Sequence, residues 1–449
     1  MRGFSYTVIQ GNELNRTVPD DAKITDKHTG AVNITFSGKN GCDMSDTFSL
    51  SDSLLSQHLL VVGGIGSGKT NALNIALDSL TGRYNVSSKL GSNDVMVIFD
   101  TKGDFKTEFY RPGDVVISNG PDACGPGKVD YWNMVSELQD DAHLKENIIE
   151  ICNALFAHRE KNSEDQFFTS AAKALTGALL YHAVQERKKT PYTVNNAFIL
   201  KLLSKDPDEL REIVGKYSAY KYVLSYFPKD AVEQSMAVIA EMQQVLQPIL
   251  VGNFGKGGTL SIRNLVKAKG GRRIFIEYDI GVGSMLTPIY TLLFDLAIKE
   301  ALCRSRSEGN VFMIADEFKL LPNLQHIDDA VNFGRSLGMK FMIGIQNVDQ
   351  IIETYGKNRA MNIFSGFMNH WAFSVSDYNT RRYVRGRAGE NRQLIETSTH
   401  EIKQEITKGS VIEDWDLQNL APGECVVMLN RRQPFLFQFD RYVPAPPRR

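Results

Sequence analysis

Residues 63–70 have the order G-x-x-x-x-G-K-T, a pattern typical of nucleotide-phosphate binding. The residues predicted to bind the phosphates are Gly63, Gly64, Gly66, Ser67, Gly68, Lys69 and Thr70. Glycines let backbone N–H groups turn inward around phosphates, and a helix opening near Lys69 adds the positive end of its dipole. We expect Lys69 to meet the β and γ phosphates and Thr70 to hold Mg²⁺. The loop predicts an NTPase, because an ordinary glycine-rich turn leaves Lys69 and Thr70 unexplained.

Two adjacent carboxylates, Asp316 and Glu317, follow the apolar run Val311–Ala315. Ligands of open α/β sheets bind at the carboxyl ends of such strands, so the pair is interpreted as a Walker B motif. Asp316 suits the outer coordination of Mg²⁺, and Glu317 suits orienting or deprotonating the attacking water. The alternative is that two acids cap the next helix, which the phosphate loop in the same chain makes less favoured.

A third strand-like run, 341–345, ends at Gln346, whose neutral amide is predicted to sense the γ phosphate or the water. Arg335 precedes that run and is predicted to reach the nucleotide of a neighbouring subunit as an arginine finger. Taken alone, an arginine before a strand is more often a solvated residue at a helix end.

These residues require buried strands to position them. Strand-like runs at Leu59–Val62, 95–99, 273–278, Val311–Ala315 and 341–345 alternate with helical patterns, which predicts an α/β fold with a doubly wound, mostly parallel sheet. The run 95–99 ends at Asp100, and the turn after it is predicted to form a second face of the nucleotide crevice.

The pattern along the chain predicts three regions. Residues 1–57 form a small β-rich lead-in with strand-like runs at 6–9 and 32–36. Residues 135–248 have apolar side chains at three- and four-residue spacings, which predicts an all-helical inserted domain. Residues 58–134 and 249–449 then form one nucleotide-binding core, whose tail, 424–429 and Phe435–Phe439, is predicted to be an edge hairpin.

Composition predicts an ordinary globular protein of 449 residues, with 42% hydrophobic residues, 23% charged residues and a formal net charge of −1. Any nucleic-acid contact is therefore confined to a local patch. The five cysteines, Cys42, Cys124, Cys152, Cys303 and Cys425, form no C-x-x-C pair, which favours reduced thiols in a cytoplasmic protein. No run approaches the roughly 18 apolar residues of a membrane span, so we expect no span.

Two basic clusters, 267–273 and 381–387, are candidates for contact with a DNA strand. Mobile cations suit backbone phosphates, and Tyr383 among arginines suits stacking on an unpaired base. The alternative, that charge clusters on loops are solvated faces, is the commoner case.

The order of these motifs resembles the TraD/TraG type IV secretion coupling proteins, within the HerA/FtsK class of ring-forming motors. The resemblance spans roughly residues 50–440 and is carried by 58–70, 99–104, 165–172, 234–235, 316–318, 334–338 and 346–350. Each motif alone recurs in many P-loop proteins, and their order makes the resemblance specific.

The resemblance implies a RecA-like motor core with a helical insertion, assembled as a homo-hexamer around a channel and using ATP and Mg²⁺ to move single- or double-stranded DNA. It also implies the finger role of Arg335, relaxase or effector cargo, and secretion-channel partners. Two departures are the missing membrane-spanning N-terminus and Asn347, where a serine often follows the sensor glutamine. We therefore expect a cytoplasmic protein that reaches the inner face of the membrane through partners.

Two other functions stay open. One is a nucleotide-dependent adaptor that recruits protein effectors to a secretion apparatus, with the helical insertion as its docking surface. The other is a HerA-like DNA motor in repair or phage defence, working with a nuclease.

Overall fold

Continuous apolar runs form the buried strands, because a strand covered on both faces carries apolar side chains at every position. The computed structural model describes residues 3–82, 88–120, 130–139, 141–162, 166–191, 193–303, 308–398 and 402–444. Cys124 and Asp165 lie outside the described residues. The chain divides into two compact units: the first is Met1–Asp94, Ser305–Lys319 and Asp328–Arg449, and the second is Val95–Arg304 and Leu320–Ile327.

The strands are β1 (Gly3–Gln10), β2 (Ile34–Asn40), β3 (Ser45–Leu50), β4 (Leu59–Val62), β5 (Val95–Asp100), β6 (Val115–Ile117), β7 (Arg272–Glu277), β8 (Val311–Ala315), β9 (Met339–Ile345), β10 (Asn369–Ala372), β11 (Glu390–Ser398), β12 (Ile402–Ser410), β13 (Glu424–Met428) and β14 (Phe435–Phe439).

The α helices are α1 (Asp52–Leu55), α2 (Lys69–Thr81), α3 (Asp104–Phe109), α4 (Leu144–Asn162), α5 (Gln166–Lys189), α6 (Asn196–Leu203), α7 (Pro207–Gly215), α8 (Val232–Leu246), α9 (Ile262–Ala268), α10 (Gly283–Leu302), α11 (Ile327–Phe333), α12 (Val348–Tyr355), α13 (Lys357–Gly366), α14 (Tyr378–Ala388) and α15 (Asp414–Gln418). Short 3₁₀ helices are Asp20–Lys23, Met134–Glu137, Ser218–Ser225, Gly252–Gly255, Phe318–Leu320 and Gly334–Leu337.

The main sheet of the first unit has the strand order β3-β2-β14-β13-β10-β4-β9-β8. The four strands β10, β4, β9 and β8 run parallel, and the remaining pairs are antiparallel. Every residue of β4, β8 and β9 is buried. Because β4, β8 and β9 are parallel, their carboxyl ends meet at one edge, where the candidate site lies.

The hairpin of β13 and β14 does not lie at the sheet edge, so that part of the sequence-based prediction is wrong. β10 flanks β13, and β2 pairs with β14 on the other side. The reason is an aromatic cluster: Phe36 of β2 and Phe48 of β3 are fully buried, and the Phe36 ring lies 4.9 Å from Trp371 and 5.6 Å from Phe439. β14, which carries Phe439, buries more apolar surface between β2 and β13 than it would as an edge strand.

A second, antiparallel sheet in the first unit has the order β1-β11-β12. The sequence analysis predicted part of β1 but neither β11 nor β12. Their residues are largely polar, so they lack the apolar runs by which strands are recognised.

The second unit holds the parallel strands β5, β7 and β6, in that order, and most of the helices. Between residues 138 and 248, the described elements are all helical. Local capping defines some of their ends: Asp206 and Glu209 form a reciprocal capping box at the start of α7. The division into regions 1–57, 58–134 with 249–449, and 135–248 stays a prediction.

In the part of the chain that the structure describes, no helix combines the length and apolarity required to cross a membrane.

A buried ion pair fixes the start of β9. Lys340 is 1% exposed, and its ammonium lies 3.1 Å from the Asp52 carboxylate and 2.6 Å from the Ser56 hydroxyl. Lys340→Met is expected to lower the free energy of unfolding by about 3 kcal/mol, because it leaves the Asp52 charge buried without its main counter-charge. Denaturant unfolding measures this. The matched control is Lys39→Met, which breaks the exposed Lys39–Asp43 pair; equal losses in both variants would contradict the prediction.

Candidate nucleotide-binding site

The glycine-rich loop connects the end of β4 to the start of α2. Gly66 and Gly68 adopt φ angles of +72° and +112°, which side-chain-bearing residues rarely adopt. Gly68 is the N-cap of α2, and no side chain caps that helix end. The first N–H groups of a helix have no acceptor within the helix, so this end suits an anion.

Close packing also requires glycine in this loop. A Cβ on Gly63 would lie 2.6 Å from the Ser67 hydroxyl and 2.7 Å from Phe373, and one on Gly68 would lie 2.8 Å from Gly423. The Gly423 N–H donates to the Ser67 carbonyl over 2.8 Å. The sequence analysis missed this support from Gly423, for which a Pro-Gly turn before β13 was the available signal.

Lys69 lies inside the loop. It is 7% exposed, and its ammonium donates to the carbonyl oxygens of Gly63, at 2.6 Å, and Gly64, at 2.9 Å. The loop backbone therefore holds the positive charge where phosphates would be bound.

Thr70 and Asp316 meet although 246 residues separate them. The Thr70 hydroxyl donates to the Asp316 carboxylate over 2.5 Å. This contact follows from the sheet, since β4 and β8 both pair with β9 in parallel. Gly344 of β9 permits it, because a Cβ there would lie 2.3 Å from the Asp316 carbonyl. A hydroxyl beside a carboxylate supplies the oxygen donors that Mg²⁺ prefers, so these two residues fit that ion.

Glu317 and Gln346 form the next contact. The Gln346 amide donates to Glu317 Oε1 over 2.9 Å, whereas Glu317 Oε2 is buried without a hydrogen-bond partner among the described residues. Asn347 caps α12 by accepting the Gln350 N–H. Serine also caps helices in this way, so the structure accommodates Asn347 in place of serine. Lys69, Thr70, Asp316, Glu317 and Gln346 thus come together.

Arg335 does not join them. It is exposed in the 3₁₀ helix before β9, whereas Gln346 follows β9. The seven residues of β9 separate the two by about 23 Å. Within its own chain Arg335 therefore lies away from the loop, and its role at a neighbouring subunit stays a prediction.

Asp100, in the second unit, stabilises its own turn. Its carboxylate accepts the backbone N–H groups of Gly103, at 2.9 Å, and Lys106, at 2.7 Å. Burial raises the pKa of Asp100 despite these hydrogen bonds, and the Glu277 charge adds to the rise. That this turn forms a face of the nucleotide site stays a prediction.

Much of the two basic clusters is occupied by contacts within the fold. Arg273 is buried, with its guanidinium 2.8 Å from Asp114. The Tyr383 hydroxyl lies 2.9 Å from His370 Nε2, and Arg385 pairs with Asp414 at 3.2 Å. These side chains serve packing, so the proposal that Tyr383 stacks on a base finds no support.

A further cluster in the second unit brings ligand atoms of Glu150, Asp295 and His326 within 4.8 Å of one another. It is an ion-pair network rather than a metal site, because the Lys299 ammonium contacts Glu150 and both ring nitrogens of His326 face carboxylates. Burial alone would lower the pKa of His326. The hydrogen bond and charge of Asp295 and the charge of Glu150 outweigh burial and Lys299, so the pKa of His326 is raised above 6.5.

The raised pKa of His326 predicts a pH effect on stability. A raised pKa in the folded state gives stability that is complete below pH 6.5 and is lost as the pH rises through the folded value. We expect the melting temperature of the wild-type protein to fall more between about pH 6 and about pH 8.5 than the melting temperature of His326→Gln. His143→Gln, an exposed position, is the control. Parallel pH profiles for wild type and His326→Gln would contradict the prediction.

The phosphate loop follows a buried parallel strand, and its Thr70 donates a hydrogen bond to Asp316. This arrangement defines the class of P-loop NTPase folds. Residues 45–432 match the family described as the type IV secretion-system coupling protein DNA-binding domain, and the chain belongs to that family. Coupling protein TraD of Escherichia coli (strain K12) is 21% identical over 390 residues, 83% of this chain and 51% of TraD. The chain thus spans about half the length of that relative.

Solved structures share the fold. The unbound bacterial conjugative coupling protein TrwBdeltaN70 has a TM-score of 0.71 at 20% identity, covering 87% of this chain and 86% of that one. TrwB in complex with ADP and Mg²⁺ has the same TM-score at 19% identity, covering 98% and 95%. VirB4 of Thermoanaerobacter pseudethanolicus has a TM-score of 0.51 at 11% identity, covering 86% and 89%. The predicted RecA-like α/β fold and the predicted coupling-protein family are confirmed.

Proposed function

We propose that the chain is an ATP hydrolase that moves DNA, as a homo-hexamer with the strand in its channel, toward a type IV secretion channel. The observation that carries the proposal is the contact of Thr70 with Asp316 beside the buried Lys69. These residues suit Mg²⁺ and triphosphate, and the ATP-analogue and ADP–Mg²⁺ complexes of TrwB support the same ligands.

Each residue has a distinct part in the proposed reaction. Lys69 exchanges its loop carbonyls for the β and γ phosphate oxygens of ATP, and the loop N–H groups bind the remaining oxygens. Thr70 and Asp316 would hold Mg²⁺, which when bound neutralises charge on the β and γ oxygens. Glu317 takes the proton of the attacking water, and Gln346 orients Glu317 and senses the γ phosphate. Arg335 of one subunit stabilises the transition state at its neighbour.

The matching family is described as a DNA-binding domain, which favours DNA over a purely protein cargo. Relaxase-bound DNA or an effector would be the cargo, delivered on the cytoplasmic side of the membrane to channel proteins. The adaptor and repair or phage-defence alternatives share the ATP site and differ in what stimulates it.

The test is ATP hydrolysis with and without DNA over a range of salt. We expect DNA to stimulate hydrolysis severalfold, and the stimulation to fall steeply with salt because phosphate contacts release counterions. Lys69→Ala is the negative control. Unchanged turnover with and without DNA at every salt concentration would reject the translocase and favour the adaptor.

A further inference from the structure

A cavity of about 480 Å³ opens in the first unit, away from the phosphate loop. Its walls are the start of β10, the end of α14 and the turn between β13 and β14. β10 and β4 are parallel, with His370 opposite Leu60, so the cavity lies at the amino end of the strands whose carboxyl ends carry the ATP site. Arg387 belongs to the basic cluster 381–387, and no role proposed above uses the other residues that line the cavity.

Three arginines line this cavity: Arg387, Arg431 and Arg432. Among the described residues that line the cavity, Asp21 is the only acidic one. Nη1 of Arg432 is buried without a hydrogen-bond partner among the described residues. Burial, followed by the Arg387 charge, lowers the pKa of His370, which also lines the cavity, to about 3. The lining therefore carries more positive than negative charge.

This charge is unusual for the chain. The sequence has 52 acidic and 51 basic residues, and neighbouring Arg385, on the same helix as Arg387, pairs with Glu413 and Asp414. Like charges that line one cavity repel one another and cost stability when a single carboxylate offsets them. Such an arrangement is typical of a site that binds an anion.

The turn that carries two of the arginines is held in place. The Arg432 N–H donates to the Leu429 carbonyl over 3.1 Å, and the Asn430 N–H donates to Asn369 Oδ1 over 3.2 Å. Arg431 adopts a φ of +60°, a conformation that non-glycine residues rarely adopt. Strained residues of this kind concentrate at ligand-binding sites.

We propose that this cavity is a second phosphate-binding site, which takes a phosphate-bearing ligand of nucleotide size. Guanidinium groups bind phosphate oxygens in pairs of parallel hydrogen bonds, and three of them match a phosphate's charge. The volume falls in the usual range for small-ligand sites, and Met368, Met428 and Pro434 offer apolar surface for a base. The ligand is either a free nucleotide or a nucleotide of a DNA strand, and both present the same phosphate chemistry.

The test uses the full chain with Lys69→Ala, which weakens the phosphate loop. Calorimetric titration with inorganic phosphate, ADP and a short single-stranded oligodeoxynucleotide should detect residual binding. Adding Arg431→Glu, at an exposed position that leaves the core intact, should weaken that binding at least about tenfold. Arg392→Glu, an exposed arginine on β11 outside the cavity, is the matched control and should leave it unchanged.

The outcomes separate the two sources. Binding of ADP that depends on Arg431 assigns the site to free nucleotide, whereas Arg431-dependent binding of the oligonucleotide without ADP binding assigns it to a strand. Arg432→Gln should weaken binding of the same ligand, since it removes the guanidinium whose Nη1 is buried without a hydrogen-bond partner among the described residues. The proposal is overturned if none of the three probes binds, or if Arg431→Glu binds them as tightly as its parent. Neither result depends on ATP hydrolysis, so the translocase proposal is tested separately.

Discussion

Glu317→Gln is expected to lower the turnover number for ATP hydrolysis at least about 100-fold while changing nucleotide affinity little. Glutamine keeps the size of the side chain and its contact with Gln346, but it cannot accept the proton of the attacking water. The loss should therefore fall on the chemical step, since Lys69 and Thr70 are untouched.

Steady-state hydrolysis together with titration of a non-hydrolysable ATP analogue measures both quantities. Glu353→Gln is the matched control, because Glu353 is exposed on α12 nearby and should retain wild-type turnover. A Glu317→Gln protein that hydrolyses ATP at the wild-type rate would show that another group activates the water. A protein that loses nucleotide affinity instead would assign Glu317 to binding.

Arg335→Ala is expected to lower turnover about 1,000-fold, which is the scale of a removed arginine finger. Because Arg335 lies far from its own phosphate loop, we expect the effect to arise at the site of a neighbouring subunit. Mixing Arg335→Ala with Glu317→Gln should therefore restore part of the activity, because some interfaces then combine an intact Glu317 with an intact Arg335.

Hydrolysis by the mixture, compared with each variant alone, measures this restoration. Arg392→Ala, another exposed arginine, is the control and should hydrolyse ATP normally. If the mixture stays as inactive as its two components, Arg335 acts within its own chain. If Arg335→Ala alone remains fully active, the finger assignment is wrong.

The sequence predicted the strand that carries the phosphate loop and the strand that carries Asp316 because both are continuous apolar runs buried in a parallel sheet. It also predicted that a third strand ends at Gln346, and the structure places that strand between the other two. Since the carboxyl ends of neighbouring parallel strands share an edge, the gathering of these residues followed from their spacing.

Other features depend on contacts between residues far apart in sequence. The pairing of β2 with β14 brings residues about 400 positions apart together, and no local pattern encodes it. The support of the loop by Gly423 is of the same kind. The burial of Arg273 could not be predicted from the sequence either. It depends on an ion pair with Asp114, which is distant in sequence, and a basic run does not indicate such a partner.

The close approach of Gly344 to Asp316 has a mechanical consequence. With no side chain between them, the ends of β8 and β9 are in direct contact, so a small displacement of one strand end pushes on the other. Glu317 and Gln346 extend from these two ends, and α12 begins directly after the Asn347 cap. We therefore expect loss of the γ phosphate to shift Glu317 and Gln346. Because α12 follows Gln346 after a single residue, the same shift should move this helix.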